Sequence, residues 1–201
     1  ETYGLDQVRY CLMREVPFGN DGDFSRKSVV SRINSELAND LGNLAQRTLS
    51  MVGRYCEGVL PEPGAYTDAD TAMLKQATAV MDAYRTHLDN QAFHEALETI
   101  WQVVRAANAY VDQQAPWALH KEDPARRDTV LYVLAETIRH LALYIQPYMP
   151  DSATVMLDQL VVPADARDFA QVGEDSALTP GTMLPKPAPV FPRFVKEESA
   201  N

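Results

Sequence analysis

The chain has 201 residues, 46% hydrophobic and 23% charged, with 28 acidic side chains against 18 basic ones and a net charge of −10. That composition supports one good hydrophobic core or two small ones and excludes disorder throughout. The acidic balance excludes a general nucleic-acid coat, whose affinity grows with the number of phosphates neutralised, but leaves room for a local basic patch. Cys11 and Cys56 are too few for a disulfide scaffold or a four-cysteine zinc site, and no histidines stand at metal-ligand spacing from them. No apolar run approaches the roughly 18 to 20 residues that span a bilayer, and Glu1 does not open a charged-then-apolar leader, so a cytoplasmic protein is expected.

Taken in chain order, residues 6–14 read as a short helix and 17–23 as a loop rich in turn formers. Val30, Ile33, Leu37, Leu41, Leu44, Met51 and Tyr55 recur at helical spacing, predicting one long amphipathic helix over 25–55, with Ser25 as N-cap and Gly58 beyond its end. Pro61, Pro63 and Gly64 make 60–65 a linker. Thr67 and Asp70 have capping-box spacing before a helix carrying Met73, Leu74, Ala77, Val80, Met81, Tyr84 and Leu88. A third helix starts near Gln91, carries Phe93, Leu97, Ile100, Trp101, Val104 and Val111, and breaks at Ala115-Pro116-Trp117.

Asp123 followed by Pro124 opens a helix through Val130, Val133, Leu134, Ile138, Leu141 and Ile145, which Pro147 and Pro150 close. Asp151 is expected to cap a short helix with Val155, Met156 and Leu160. Beyond Val162 the periodicity fades, and the five prolines in 179–192 favour an extended arm. The expected fold is all-α, an antiparallel helical bundle with appendages at both ends.

No GxSxG, Walker A, GxGxxG or HExxH pattern occurs, and His87, His94, His120 and His140 are scattered, each reading as a surface or helix-flank residue. The long helix carries more information. At about 100° per residue from Leu44, the apolar positions fall within roughly −20° to +60°, while Arg32, Asn43, Arg47 and Arg54 gather at roughly −60° to −120°. Over residues 26–54, Arg26, Lys27, Arg32, Arg47 and Arg54 oppose only Glu36 and Asp40, making this segment +3 inside a −10 chain. Such asymmetry suits a small anionic-ligand site, although a solvated helix face explains most stripes of this kind.

Asn43 and Arg47, four apart, could together read the edge of an unstacked base, yet spacing alone favours two surface polar residues. Trp117 stands at a break between helices, where its ring could stack on a base or simply cover the end of the core. Trp101 lies in the apolar register and is expected in the core.

Several words of the sequence resemble the C-terminal part of bacterial methionyl-tRNA synthetase, a class I enzyme: YGLDQVRYCLMREVPFGNDGDFS (3–25), NDLGNLAQR (39–47), YVDQQAPWAL (110–119), PYMPDSA (147–153) and PGTMLPKPAPVFPR (180–193). The resemblance implies an anticodon-binding bundle over 26–162. Residues 1–25 would be the end of a stem-contact region, and 163–201 a tail that folds back on the catalytic domain and is loose without it. It also implies that Asn43 and Arg47 contact anticodon bases, that Trp117 stacks on the first base of CAU, and that Asp112 helps reject wrong anticodons; Arg32 and Arg54, which the helix angle puts beside them, are read as a supporting basic flank.

The parent enzyme would join methionine to tRNA(Met) with ATP and Mg. The HIGH-type and KMSKS sequences and the zinc-binding insertion are absent from these 201 residues, so no catalytic, metal or cofactor residue is assigned and the segment alone is expected to be inactive. Expected partners are the tRNA(Met) anticodon stem-loop and the enzyme's own catalytic domain, with no membrane and a monomeric state. Two alternatives are a helical protein-docking module, suggested by the acidic surface and proline-rich arm, and the anticodon domain of another class I synthetase, against which the NLAQR and APW words count.

Overall fold

A computed structural model describes residues 3–15, 19 and 25–195, so most of the turn-rich loop expected at 17–23 lies outside the described residues. The first helix, α1 (Leu5–Glu15), matches the expectation. The helix expected over 25–55 is continuous but changes gauge twice: α2 (Arg26–Arg32), a π-helical stretch (Ile33–Gly42) and α3 (Asn43–Tyr55). Ser25 caps α2, its hydroxyl accepting from the Ser28 N–H at 3.1 Å. The buried side chains Ile33, Leu37 and Leu41 are four residues apart. That spacing falls between an α turn of about 3.6 residues and a π turn of roughly 4.4, and all three side chains face the core.

The change of gauge corrects one expectation. Ten π residues rotate the chain less than ten α residues, so a uniform wheel misplaces Arg32 relative to α3 by on the order of half a turn. Arg32 does not flank Asn43 and Arg47. Its Nε donates to Glu15 at 2.9 Å and its Nη1 to Glu36 at 2.8 Å. Glu36 also accepts from the buried Tyr10 hydroxyl, and Arg14 joins Glu98 on another helix, so α1 is bolted to its neighbours through ion pairs.

Two helices, α4 (Asp68–Ala79) and α5 (Met81–Asp89), replace the single one expected after Thr67. The break frees carbonyls at the end of α4, and Ala77 accepts the Tyr144 hydroxyl at 3.0 Å, while the Tyr84 hydroxyl donates to the Tyr144 carbonyl at 2.7 Å. The capping box forms, with the Thr67 N–H donating to Asp70 at 2.8 Å. Asp70 is fully buried and also receives Arg126 Nη2 at 2.7 Å and the Tyr110 hydroxyl.

The remaining helices are α6 (Phe93–Gln114), α7 (Pro116–Glu122), α8 (Pro124–Ile145) and α9 (Pro150–Gln159). Trp101 is in the core as expected, and every residue of α8 from 129 to 145 is buried. His140, read from sequence as a surface or flank residue, is 2% exposed. Its Nε2 lies 2.9 Å from Arg139 and 3.3 Å from the Gly173 N–H, and Arg139 Nε donates to both Glu136 oxygens at 2.9 and 3.0 Å. Burial pushes His140 down to about 4, so it sits in this cluster as neutral imidazole at pH 7. Asp151 does not cap α9: Met149 holds that position, and the Asp6 carboxylate of α1 accepts from the Ser152 N–H at 2.7 Å.

Beyond Val162 come three single 3-10 turns, at Ala164–Ala166, Phe169–Gln171 and Glu174–Ser176, and then extended chain. The expectation of a loose tail is corrected, because its described part lies on the bundle. Leu178, Leu184 and Phe191 are buried. The Leu178 N–H donates to Glu136 at 3.0 Å, Gln159 and Ala188 exchange hydrogen bonds at 3.1 and 2.9 Å, and so do Asn34 and Phe194 at 2.9 and 2.8 Å. One core thus runs through all three expected parts, from Tyr10 to Phe191.

Gly42 ends the π stretch where a Cβ would meet the Leu37 carbonyl oxygen at 2.7 Å and the Phe191 Cβ at 3.3 Å. Gly42→Ala should therefore destabilise the fold by about 1 to 3 kcal/mol in denaturant unfolding. The gain of about 1 kcal/mol usual for Gly→Ala inside a helix would contradict this packing.

Burial alone would raise the Asp70 carboxyl, but hydrogen bonds from Arg126, Tyr110 and Thr67 outweigh it and bring it to about 2. Its stabilising effect is complete above the usual carboxylate range near pH 4 and is lost as the pH falls towards 2. The stability gap between the native chain and Asp70→Asn should be widest above pH 4 and close on acidification, and a gap constant from pH 7 to 2 would contradict the assignment.

Candidate nucleic-acid interface

One edge of the molecule combines cations with an exposed aromatic ring. α3 is an ordinary α-helix, so Asn43 and Arg47 share a face one turn apart, and Asn43 is exposed. α6 brings Asp112 alongside, its side chain 68% exposed, and Arg47 Nη2 donates to Asp112 Oδ1 at 2.9 Å. Ala115 then ends α6 in the left-handed region, at φ 44° and ψ 58°, a conformation costing an alanine roughly 1 to 2 kcal/mol. The turn starts α7 at once, with Pro116 in the first helical position and buried. Trp117 follows, 42% exposed, and the Arg47 guanidinium carbon lies 4.9 Å from the centre of its ring.

The structure therefore joins three of the sequence-predicted residues, Arg47, Asp112 and Trp117, in direct contact, with Asn43 one turn away. A guanidinium that both caps an aromatic face and donates to a carboxylate is held in place by two weak contacts, each worth about 1 kcal/mol or less at an exposed site. An incoming planar acceptor can compete for both. Arg54 lies further along α3, exposed, with its guanidinium carbon 5.6 Å from the Tyr55 ring centre. Arg32 is not part of this edge.

Two residues here escaped the sequence reading. Tyr55, placed in the apolar stripe, is only half-buried and stacks on His120, centroids 4.2 Å apart and planes 19° from parallel. His120 also lies 2.8 Å from Arg127 through Nδ1. The available signal was the three-residue spacing from Trp117 to His120, which puts both on one side of a short helix.

Among the described residues, no group of three or more His, Cys, Asp or Glu side chains could hold a metal ion, and no helix is long and apolar enough to cross a membrane. A cavity of about 380 Å³ lies elsewhere, between α4, α8 and the tail. Its lining includes Glu136 and His140, both already engaged with Arg139.

Residues 60–201 match the family described as the anticodon binding domain of methionyl tRNA ligase, and residues 1–49 match class I tRNA synthetases of the methionine type. The methionine--tRNA ligase of Brucella suis is 55% identical over 201 residues, all of this chain and 39% of that protein. The Mycobacterium tuberculosis enzyme is 52% identical over 198 residues, 96% of this chain and 38% of its own length. The crystal structure of the apo form of Mycobacterium tuberculosis methionyl-tRNA synthetase superposes with a TM-score of 0.93 at 51% identity, covering 96% of this chain and 40% of that one. Its methionyl-adenylate complex gives 0.91 at 52% identity, covering 94% and 38%. This chain spans about two fifths of the length of the relatives it matches, and it belongs to the methionyl-tRNA ligase family, within the part that carries the anticodon-binding domain.

Proposed function

We propose that this chain is the anticodon-recognition module of a methionyl-tRNA ligase and that it reads the CAU anticodon through Trp117, Arg47, Asn43 and Asp112. The observation that carries the reading is the Arg47 guanidinium shared between Asp112 and the face of an exposed tryptophan. A splayed anticodon base gains roughly 1 to 3 kcal/mol by stacking on an aromatic ring. Cytosine then offers ring and carbonyl acceptors to the Arg47 fork and the Asn43 amide, and an amino group to the Asp112 carboxylate. Asp112 can only accept, so a base presenting a carbonyl at that place meets repulsion, and the same carboxylate keeps Arg47 in position before RNA arrives. Arg54 supplies a phosphate-directed charge further along α3. The strongly acidic remainder of the chain keeps nonspecific RNA away.

The parent reaction we infer is ATP-dependent attachment of methionine to tRNA(Met), an inference supported by the methionyl-adenylate held by one of the structural relatives. ATP, Mg and methionine would be handled outside these 201 residues, in the catalytic domain, with this chain acting in a cytoplasmic monomer. The protein-docking alternative loses part of its motive, because the described part of the proline-rich arm lies on the chain's own bundle.

Three measurements test the reading. An anticodon stem-loop carrying CAU should bind more tightly than one with its first anticodon base changed, and the preference should persist between two salt concentrations; equal binding that salt erases would reduce the site to phosphate attraction. Trp117→Ala should weaken the CAU complex by about 1 to 3 kcal/mol, and an unchanged affinity would remove this residue from the site. Asp112→Ala should tighten binding of the base-changed stem-loop and cut the preference for CAU by on the order of tenfold, whereas a preference left intact would show that the carboxylate plays no part in rejection.

A further inference from the structure

α7 has seven residues and follows a left-handed turn, so the plane of its tryptophan depends on what pins the helix. Pro116 and the partly buried Leu119 fix its inner side. Its outer side is fixed at His120, through a closed circuit of contacts. The His120 ring stacks on Tyr55 at the end of α3, at 4.2 Å and 19°. Its Nδ1 lies 2.8 Å from Arg127 Nη1 at the start of α8. Arg127 in turn donates through Nε and Nη2 to Asp128 Oδ1 at 2.9 and 2.6 Å. The same Asp128 oxygen accepts from Cys56 Sγ at 3.4 Å, and Cys56 is bonded to Tyr55, which completes the circuit. A guanidinium can only donate, so Nδ1 accepts and the imidazole carries its proton on Nε2. The circuit ties α7 to the end of α3, the helix that carries Arg47, and to the start of α8.

We infer that His120 is a positioning residue for anticodon selection: stacked on Tyr55 and anchored to Arg127, it sets the orientation of the Trp117 indole one turn earlier on α7. Trp117 and Arg47 form one rung between α7 and α3, and His120 and Tyr55 form a second. Losing the second rung leaves α7 free to rock about its left-handed hinge, which moves the indole plane while leaving the cations of α3 in place. The inference rests on the anticodon reading given above. It adds that selectivity, not overall RNA attraction, runs through His120.

The test uses the whole chain and compares binding of the CAU stem-loop with that of the stem-loop changed at its first anticodon base. His120→Ala should lower the ratio of the two affinities by about three- to tenfold, the scale of one aromatic pair, with the base-changed complex unaltered. His120→Phe, which keeps a ring against Tyr55, should restore most of the ratio. His120→Gln, which keeps an acceptor for Arg127 but no ring, should reproduce the loss and provides a second variant should the alanine chain fold poorly. Adding His120→Ala to Trp117→Ala should lower the ratio no further. An equal weakening of both stem-loops, or a ratio that His120→Ala and His120→Gln leave intact while Trp117→Ala abolishes it, would overturn the positioning role. A native chain that does not prefer CAU would overturn the anticodon reading itself and this inference with it, whereas a ratio that Trp117→Ala does not change would remove Trp117 from base selection and overturn this inference alone.

Discussion

A helix buried on every side has to be surrounded, and α8 imposes that requirement on the rest of the chain. From 129 to 145 it offers no face to solvent, so α3, α4, α6, α7, α9 and the C-terminal tail all lie around it. Its polar residues must then be satisfied from within, because an unpaired buried charge costs several kcal/mol. Glu136 takes Arg139 and the Leu178 N–H, Arg139 reaches the Gln171 and Gly173 carbonyls, and His140 stays neutral between them. Those bonds hold the tail turns against the helix. Asp70 does the same work at the other end of α8, closing the capping box of α4 while binding Arg126 and Tyr110.

Placement of the candidate interface follows from this arrangement. The N-terminus of α8 is fixed by the Asp123 cap, whose side chain accepts from the Arg126 N–H at 3.0 Å. α7 runs directly into that cap, and α6 runs into α7 through Ala115. The exposed indole therefore stands on a short helix held between two long ones, beside the Arg47 face of α3. A binding ring needs one open face and a rigid mount, and this junction supplies both.

Much of this was legible in the sequence. Apolar spacing located nearly every helix, and the caps at Ser25, Thr67 and Asp123 form as their local chemistry requires. The Arg47, Asp112 and Trp117 contact was foreshadowed by helix angle, charge asymmetry and family words. What sequence could not provide depends on tertiary contact or on a change of helical gauge. The π stretch turned Arg32 inward, because a wheel of fixed period accumulates its error over ten residues. His140 looked peripheral because nothing local announces that its helix is buried all round. Asp151 looked like a cap because the true partner of that N-terminus, Asp6, is remote in sequence. The tail looked loose because proline-rich chain carries no periodicity, whereas three well-spaced apolar anchors and paired amide bonds seat it on the bundle.

The central claim is that the free face of Trp117 is where an anticodon base lands. The most direct measurement follows the two indole N–H resonances by NMR while a CAU stem-loop is added. Stacking should shift the Trp117 resonance through the ring current of the bound base and leave Trp101, buried in the core, where it was. Saturable binding that leaves Trp117 unmoved would contradict the account.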